Sequence, residues 1–279
     1  MKIGCDLMLW TGCFTRKSIP LIERVAKLGF DGVEFPMFDP KAVDVRATRK
    51  ALEATGLGST VCTVIVTGSP ISPEARERQA AIDHVVRVLE VSKELGSDCV
   101  AGPLYSPVGR LVGRGRNAAE WKYAVASLRK IADVAEILDI NVGIEPLNRF
   151  ETYFLNTCED AAALCDEIGS THVGVHYDTF HANIEEKDPT AALRKIGRKR
   201  LFHVHACEND RGIPGTGHVP WKDFFKTLKQ LKYNRWLTIE SFVPAIKELA
   251  AAAAIWRPLA KDGDDLAKRG LRFLRANVG

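Results

Sequence analysis

Four side chains able to hold a divalent cation end apolar runs in the second half of this 279-residue sequence. Glu145 closes Val-Gly-Ile-Glu, Asp178 closes Gly-Val-His-Tyr-Asp, His205 closes Phe-His-Val-His and Glu240 closes Leu-Thr-Ile-Glu. The intervals between them are 33, 27 and 35 residues, each about one strand-plus-helix repeat. Taken singly, such residues are most often helix caps, loop ion pairs or a hydrogen-bonded core histidine. Taken together, three carboxylates and an imidazole gathered in one place repel unless a cation neutralises them. Carboxylate oxygens with one imidazole suit Mn²⁺, Mg²⁺ or Co²⁺ better than a thiolate-preferring ion. Strand alternation puts His203 on the same face as His205, and His205 is preferred because it lies nearer the strand's end. His176 bears the same relation to Asp178 and reads as a supporting or core residue. Cys207 reads as a structural neighbour.

The elements that must position these groups repeat along the chain. Strand-like runs are expected at 2–10, 31–37, 58–66, 98–105, 140–147, 172–178, 200–207 and 235–242. An amphipathic helix is expected after each, at 18–29, 43–56, 73–96, 117–139, 157–169, 189–197, 221–232 and 248–259, with a further one at 264–276. The strands are mostly Val, Ile, Leu and Cys, the pattern of parallel strands covered by helices. Eight such units in one domain spanning 1–279 fit an α/β fold of the (β/α)8 TIM-barrel type with an extra C-terminal helix. A doubly wound sheet would want a glycine-rich phosphate loop after the first strand, and Thr11-Gly12-Cys13-Phe14 does not supply it. Barrel active sites lie at the C-terminal ends of the strands, which is where the four candidate ligands fall.

Composition narrows the classes further. Hydrophobic residues make up 46% of the chain, enough for a large core. A balance of 39 Lys and Arg against 35 Asp and Glu is too mild to argue for a nucleic-acid partner. Seven scattered Cys without CxxC spacing suggest reduced thiols in the cytoplasm. The start, MKIGCDLMLW, lacks the apolar run of a signal peptide, and no segment approaches a membrane span.

Four segments carry a resemblance. They are Glu145-Pro-Leu-Asn-Arg-Phe-Glu151-Thr, Asp178-Thr-Phe-His181-Ala-Asn183-Ile-Glu185-Glu, His203-Val-His205-Ala-Cys-Glu208-Asn-Asp-Arg211-Gly and Ile239-Glu240-Ser-Phe. They resemble the D-tagatose 3-epimerase/D-allulose (psicose) 3-epimerase family of the xylose-isomerase-like barrels, along essentially the whole chain. The resemblance implies a Mn²⁺- or Co²⁺-dependent enzyme that inverts C3 of a free ketose. It places metal ligands on Glu145, Asp178, His205 and Glu240, and substrate contacts on Glu151, His181 and Arg211. It also implies a homodimer or homotetramer, with a small sugar as partner.

Epimerisation at C3 removes a weakly acidic proton beside a carbonyl and returns one to the opposite face. Two carboxylates flanking the substrate can do this through a cis-enediolate, and Glu145 and Glu240 are the expected pair. Glu34, in Val-Glu-Phe-Pro, either contacts substrate hydroxyls or belongs to a buried ion pair. Trp10, Phe35 and Phe38 are candidates for an apolar wall beside the sugar. The segment 105–116, YSPVGRLVGRGR, reads either as a solvated loop or as a lid or phosphate clamp, since Arg forks suit phosphate. The same site chemistry would serve an aldose–ketose isomerase, or an enzyme of a phosphorylated or modified sugar. A multi-zinc DNA-repair nuclease would want more than the seven His present. A non-catalytic sugar-binding barrel would survive loss of the two glutamates.

Overall fold

Runs of Val, Ile and Leu with small residues between them have no polar face to offer water, so such strands are stable only when covered on both sides. The computed structural model describes residues 1–278. In it the eight runs become β1 (Lys2–Asp6), β2 (Gly32–Pro36), β3 (Gly58–Cys62), β4 (Cys99–Gly102), β5 (Asn141–Ile144), β6 (Val173–Asp178), β7 (Leu201–His205) and β8 (Trp236–Ile239). All pair in parallel and in chain order, and β8 closes on β1. The result is the expected TIM barrel.

Among the described residues ten helices surround it: α1 (Pro20–Leu28), α2 (Val45–Thr55), α3 (Ala75–Leu95), α4 (Ala118–Leu138), α5 (Cys158–Ile168), α6 (Thr179–Glu185), α7 (Pro189–Arg200), α8 (Trp221–Gln230), α9 (Lys247–Ala252) and α10 (Gly263–Val278). The last is the expected additional C-terminal helix. Helix ends follow local chemistry. Asn117 and Glu120 form a reciprocal capping box at the start of α4, and Gly29 and Gly96 end α1 and α3 in the left-handed conformation. The main core lies between strands and helices, where Val33, Val61, Val100, Val142, Val175 and Val204 are buried. At the N-terminal end of the barrel the Trp236 ring fills the space over Gly32 and Gly58, and its Nε1–H donates to Asp98 at 2.9 Å.

Most strands end a few residues before their expected limits, β3 at Cys62 rather than at 66, and three differences stand out. The first strand ends at Asp6 rather than running to Trp10, because the Asp6 carboxylate accepts the Met8 N–H at 2.7 Å and turns the chain into a short 3-10 helix. Helix α6 begins directly after β6, capped by Asp178, which accepts the Phe180 N–H at 2.7 Å. The eighth outer helix stops at Ala252, and Ala254 takes a left-handed conformation with φ 54°.

Candidate active site

The C-terminal ends of β5 to β8 deliver the four candidate ligands. Glu145 and Glu240 directly follow β5 and β8, whereas Asp178 and His205 are the last residues of β6 and β7. Register sets neighbours side by side: Asp178 pairs with His205, and His205 with Thr238, two residues before Glu240. All four are buried. Donor atoms of Glu145, Asp178 and His205 lie within 4.8 Å of one another. His205 Nδ1 is 3.3 Å from Glu240 Oε1, which joins the fourth residue to the group.

The electrostatics are those of crowded like charges. Burial and the Glu240 carboxylate push Glu145 well above the usual carboxylate range. Burial also lifts Asp178, to about 6, against the pull of Arg211. Burial would raise Glu240 too, but His205 and Arg211 hold it below its ordinary value. Three buried carboxylates converging beside one imidazole are a donor set of the kind a hard or borderline divalent ion takes. Such an ion would relieve the repulsion that raises Glu145. The residues therefore fit a metal centre.

Arg211, in the loop after β7, has a left-handed backbone with φ 64°. Ser241 donates its hydroxyl to the Arg211 carbonyl. Glu208 ties down the same loop, accepting from Gly215 N (2.8 Å), Val219 N (2.9 Å) and Trp221 Nε1 (2.8 Å). Thus held, the guanidinium donates to Asp178 Oδ2 at 2.9 Å and to Glu240 Oε2, with Phe180 beneath it at 4.0 Å. His181, on α6, accepts the Asn148 backbone N–H at Nδ1 (3.0 Å), and its Nε2 faces Arg211 Nη2 at 3.0 Å. Burial and Arg211 push His181 well below the usual imidazole range, which keeps the ring neutral. The Arg211 guanidinium beside it is a donor that suits an oxygen gaining negative charge. Asn148 also donates to Glu151 Oε1 at 2.8 Å.

These groups form one wall of a cavity of about 220 Å³. Glu145, Glu151, His181, Arg211 and Glu240 line that wall, and Met8, Phe38, Val64, Val108, Phe242 and Leu249 line the other side. Drug-sized ligands take roughly 300–1,000 Å³, so the space suits a smaller solute.

Several candidate residues fall elsewhere. Glu34 does not line the cavity: it is fully buried in the barrel interior, with its carboxylate 2.5 Å from His205 Nε2 and 2.7 Å from His203 Nε2. The buried ion-pair alternative, rather than substrate contact, is where its side chain stands. Of the expected apolar wall only Phe38 reaches the cavity. Trp10 donates to Asp264 at 3.0 Å, and Phe35 stacks on Phe14 at 4.5 Å. Two of the three arginines in 105–116 are committed to ion pairs rather than left free for a phosphate. Arg114 forms a bidentate pair with Glu120 (2.9 and 2.9 Å) and Arg116 with Asp160 (2.8 and 2.8 Å). Only Val108 of that loop, with nearby Pro103, lines the cavity. Sequence reasoning missed Asn148, although it stands within the Glu145–Glu151 segment, and Phe242 and Leu249, for which no pattern gave a signal.

Comparison with known proteins gives the family. Residues 22–277 match the family described as xylose isomerase-like TIM barrel. The ketose 3-epimerase of Arthrobacter globiformis is 34% identical over 279 residues, spanning 99% of this chain and 96% of its own. The chain belongs to the ketose 3-epimerases of that family. It is thus a carbohydrate epimerase of the isomerase class. Similar to it as well is the D-psicose 3-epimerase of Enterocloster bolteae, 33% identical across 100% of this chain and 96% of the relative. The crystal structure of D-allulose 3-epimerase from Methylomonas sp. in complex with D-allulose superposes on this epimerase with a TM-score of 0.94, at 29% identity, covering 99% and 97% of the two chains. Among the described residues no helix is long and apolar enough to cross a membrane.

Proposed function

We propose that this epimerase inverts C3 of a free ketose of the D-allulose/D-fructose, D-tagatose or L-ribulose type. The observation that carries the reading is the cavity itself. Glu145 and Glu240 both line it, and its one cationic lining residue, Arg211, is already paired with Asp178 and Glu240 rather than left for a phosphate. Strands β5 and β8 are separated around the barrel by β6 and β7, so the two carboxylates approach a bound sugar from different directions. One takes the C3 proton as base and the other returns a proton to the opposite face, with the roles exchanged in reverse. Between those steps a cis-enediolate carries the charge, and the Arg211 guanidinium, with His181 beside it, is the donor placed to hold its oxygens. Glu151, held by Asn148, offers an acceptor for a sugar hydroxyl.

Glu145, Asp178, His205 and Glu240 would hold the cofactor, Mn²⁺ with Co²⁺ or Mg²⁺ as substitutes. When bound, the ion supplies charge neutralisation and polarises the ketose carbonyl. The seven cysteines are all unpaired, which fits a cytoplasmic setting. Assembly as a homodimer or homotetramer belongs to the same reading and is checked by light scattering.

The test is a panel of D-fructose, D-allulose, D-tagatose, L-ribulose and their phosphorylated counterparts with Mn²⁺-loaded enzyme in D₂O, followed by NMR. Deuterium at C3 of an epimeric ketose is expected. Label at C1 with aldose products would mean aldose–ketose isomerisation instead, and exchange confined to phosphorylated ketoses would overturn the free-sugar assignment.

A further inference from the structure

TIM-barrel interiors are filled mainly by layers of branched apolar side chains. Below the ligand-bearing strand ends, this barrel instead carries a polar layer. Register pairs Asp6 of β1 with Glu34 of β2, and Glu34 with Thr60 of β3. His203 of β7 stands in the same interior, and all four residues are buried. Burying such groups costs free energy unless they are partnered, so what the partners do is informative.

Glu34 is partnered on every side that matters. Its Oε1 is 2.5 Å from His205 Nε2. Its Oε2 accepts the Thr60 hydroxyl at 2.6 Å and lies 2.7 Å from His203 Nε2. A carboxylate oxygen accepts, so the ring nitrogen hydrogen-bonded to it, His205 Nε2, carries the proton. On His205 this commits Nε2–H to Glu34 and turns Nδ1 to the opposite side, where it faces Glu240 Oε1 at 3.3 Å among the candidate ligands. A neutral imidazole whose proton sat on Nδ1 would present no lone pair there. His176 packs edge-on against His205 at 4.1 Å and limits the ring plane from the side.

We propose that Glu34 is a positioning residue of the metal centre, fixing the tautomer and ring orientation of His205 so that Nδ1 is the ligating atom, with Thr60 and His203 holding the carboxylate in place. This rests on the metal-centre reading above. Glu34 acts only through His205, because it reaches neither the cavity nor the other three ligands' donor group. Partners of this kind on metal-ligating histidines typically change metal affinity or activity by about 10- to 100-fold when removed.

The experiment compares the full-length enzyme with Glu34→Gln, both stripped by a chelator and titrated with Mn²⁺, the free ion being read by electron paramagnetic resonance. The variant is expected to bind Mn²⁺ about 10- to 100-fold more weakly, with KM for the ketose unchanged at saturating Mn²⁺. In the Co²⁺-loaded proteins, the exchangeable imidazole N–H resonance shifted by the ion moves or is lost in Glu34→Gln. Unchanged Mn²⁺ affinity overturns the proposal, and unchanged affinity with a raised KM makes Glu34 a substrate residue instead. Should Glu34→Gln give no cooperative melt, Glu34→Asp replaces it, keeping the charge while withdrawing it from His205. The same loss of affinity is expected there, and its absence is equally fatal. If the unmodified enzyme binds none of Mn²⁺, Co²⁺ or Mg²⁺, the metal-centre reading falls and takes this one with it. If it binds Mn²⁺ and the variants bind as well, only the role of Glu34 falls.

Discussion

Glu145 and Glu240 are asked to do two things at once, to ligate and to move protons, and a conservative substitution separates the two. Glu145→Gln and Glu240→Gln keep the side chain's length and one ligating oxygen but cannot accept and return the C3 proton. At saturating Mn²⁺, kcat is expected to fall by about 10²- to 10⁴-fold in each, the usual worth of general acid–base catalysis. Turnover unchanged under those conditions would sink the two-glutamate mechanism and favour a binding role. Arg114 provides the opposite control. Its guanidinium is committed to Glu120 and points away from the cavity. Arg114→Ala is therefore expected to leave KM for the ketose as it is, and a marked rise would put the loop back in the site.

The barrel separates stability from chemistry by end, and two elements show this. At the N-terminal end of β2, a Cβ added to Gly32 would lie 2.3 Å from the Trp236 ring. Gly32→Ala should cost about 1–3 kcal/mol of stability, the range for overpacking, with kcat/KM of the folded enzyme retained because the active site is at the other end. Chemical denaturation and steady-state kinetics on one preparation read both. At the start of α4, the hydrogen bonds from Arg114 hold Glu120 at about 2, below its ordinary 4.5. A folded-state value lowered in this way contributes stability above about pH 4.5 and loses it as pH falls towards 2. The Tm gap between the natural enzyme and Glu120→Gln is thus expected to be full at pH 7, to narrow below pH 4.5 and to close near pH 2. A gap that stays constant across that window would remove the ion pair as its cause. The eight strands were legible because each is an apolar run bounded by turns, and the candidate ligands were legible because polar residues at the ends of such runs are conspicuous. Glu34 was not, because its register with Asp6 and Thr60 puts it one layer below the rim, and sequence does not reveal stagger between strands. Nor were Phe242 and Leu249, whose places depend on how the chain after β8 folds back over the cavity.

For the molecule as a whole, the burden is the charge collected inside the barrel. Asp6, Glu34, Glu145, Asp178 and Glu240 are all buried, while the chain's overall balance is +4. The positive residues that set that balance are mostly on the surface, too far through solvent to offset an interior cluster. Arg211 and the histidines answer part of it. Asp6 adds to the strain on that cluster, since burial and Glu34 push it well above the usual carboxylate range. A divalent ion held by the native barrel, with no comparable site in the unfolded chain, would answer the rest, and binding restricted to the native state raises stability by mass action. At a free ion concentration of 100 times Kd the gain is about 2.7 kcal/mol. In a chain of this size each kcal/mol shifts Tm by roughly 2–4 °C, so Mn²⁺ is expected to raise Tm by about 5–10 °C over the chelator-treated enzyme. The increment should grow logarithmically with free Mn²⁺ and shrink in Glu240→Gln, which weakens the site. Calorimetry across a Mn²⁺ series measures it, and a melting temperature indifferent to Mn²⁺ would mean that the buried carboxylates are neutralised by protons alone.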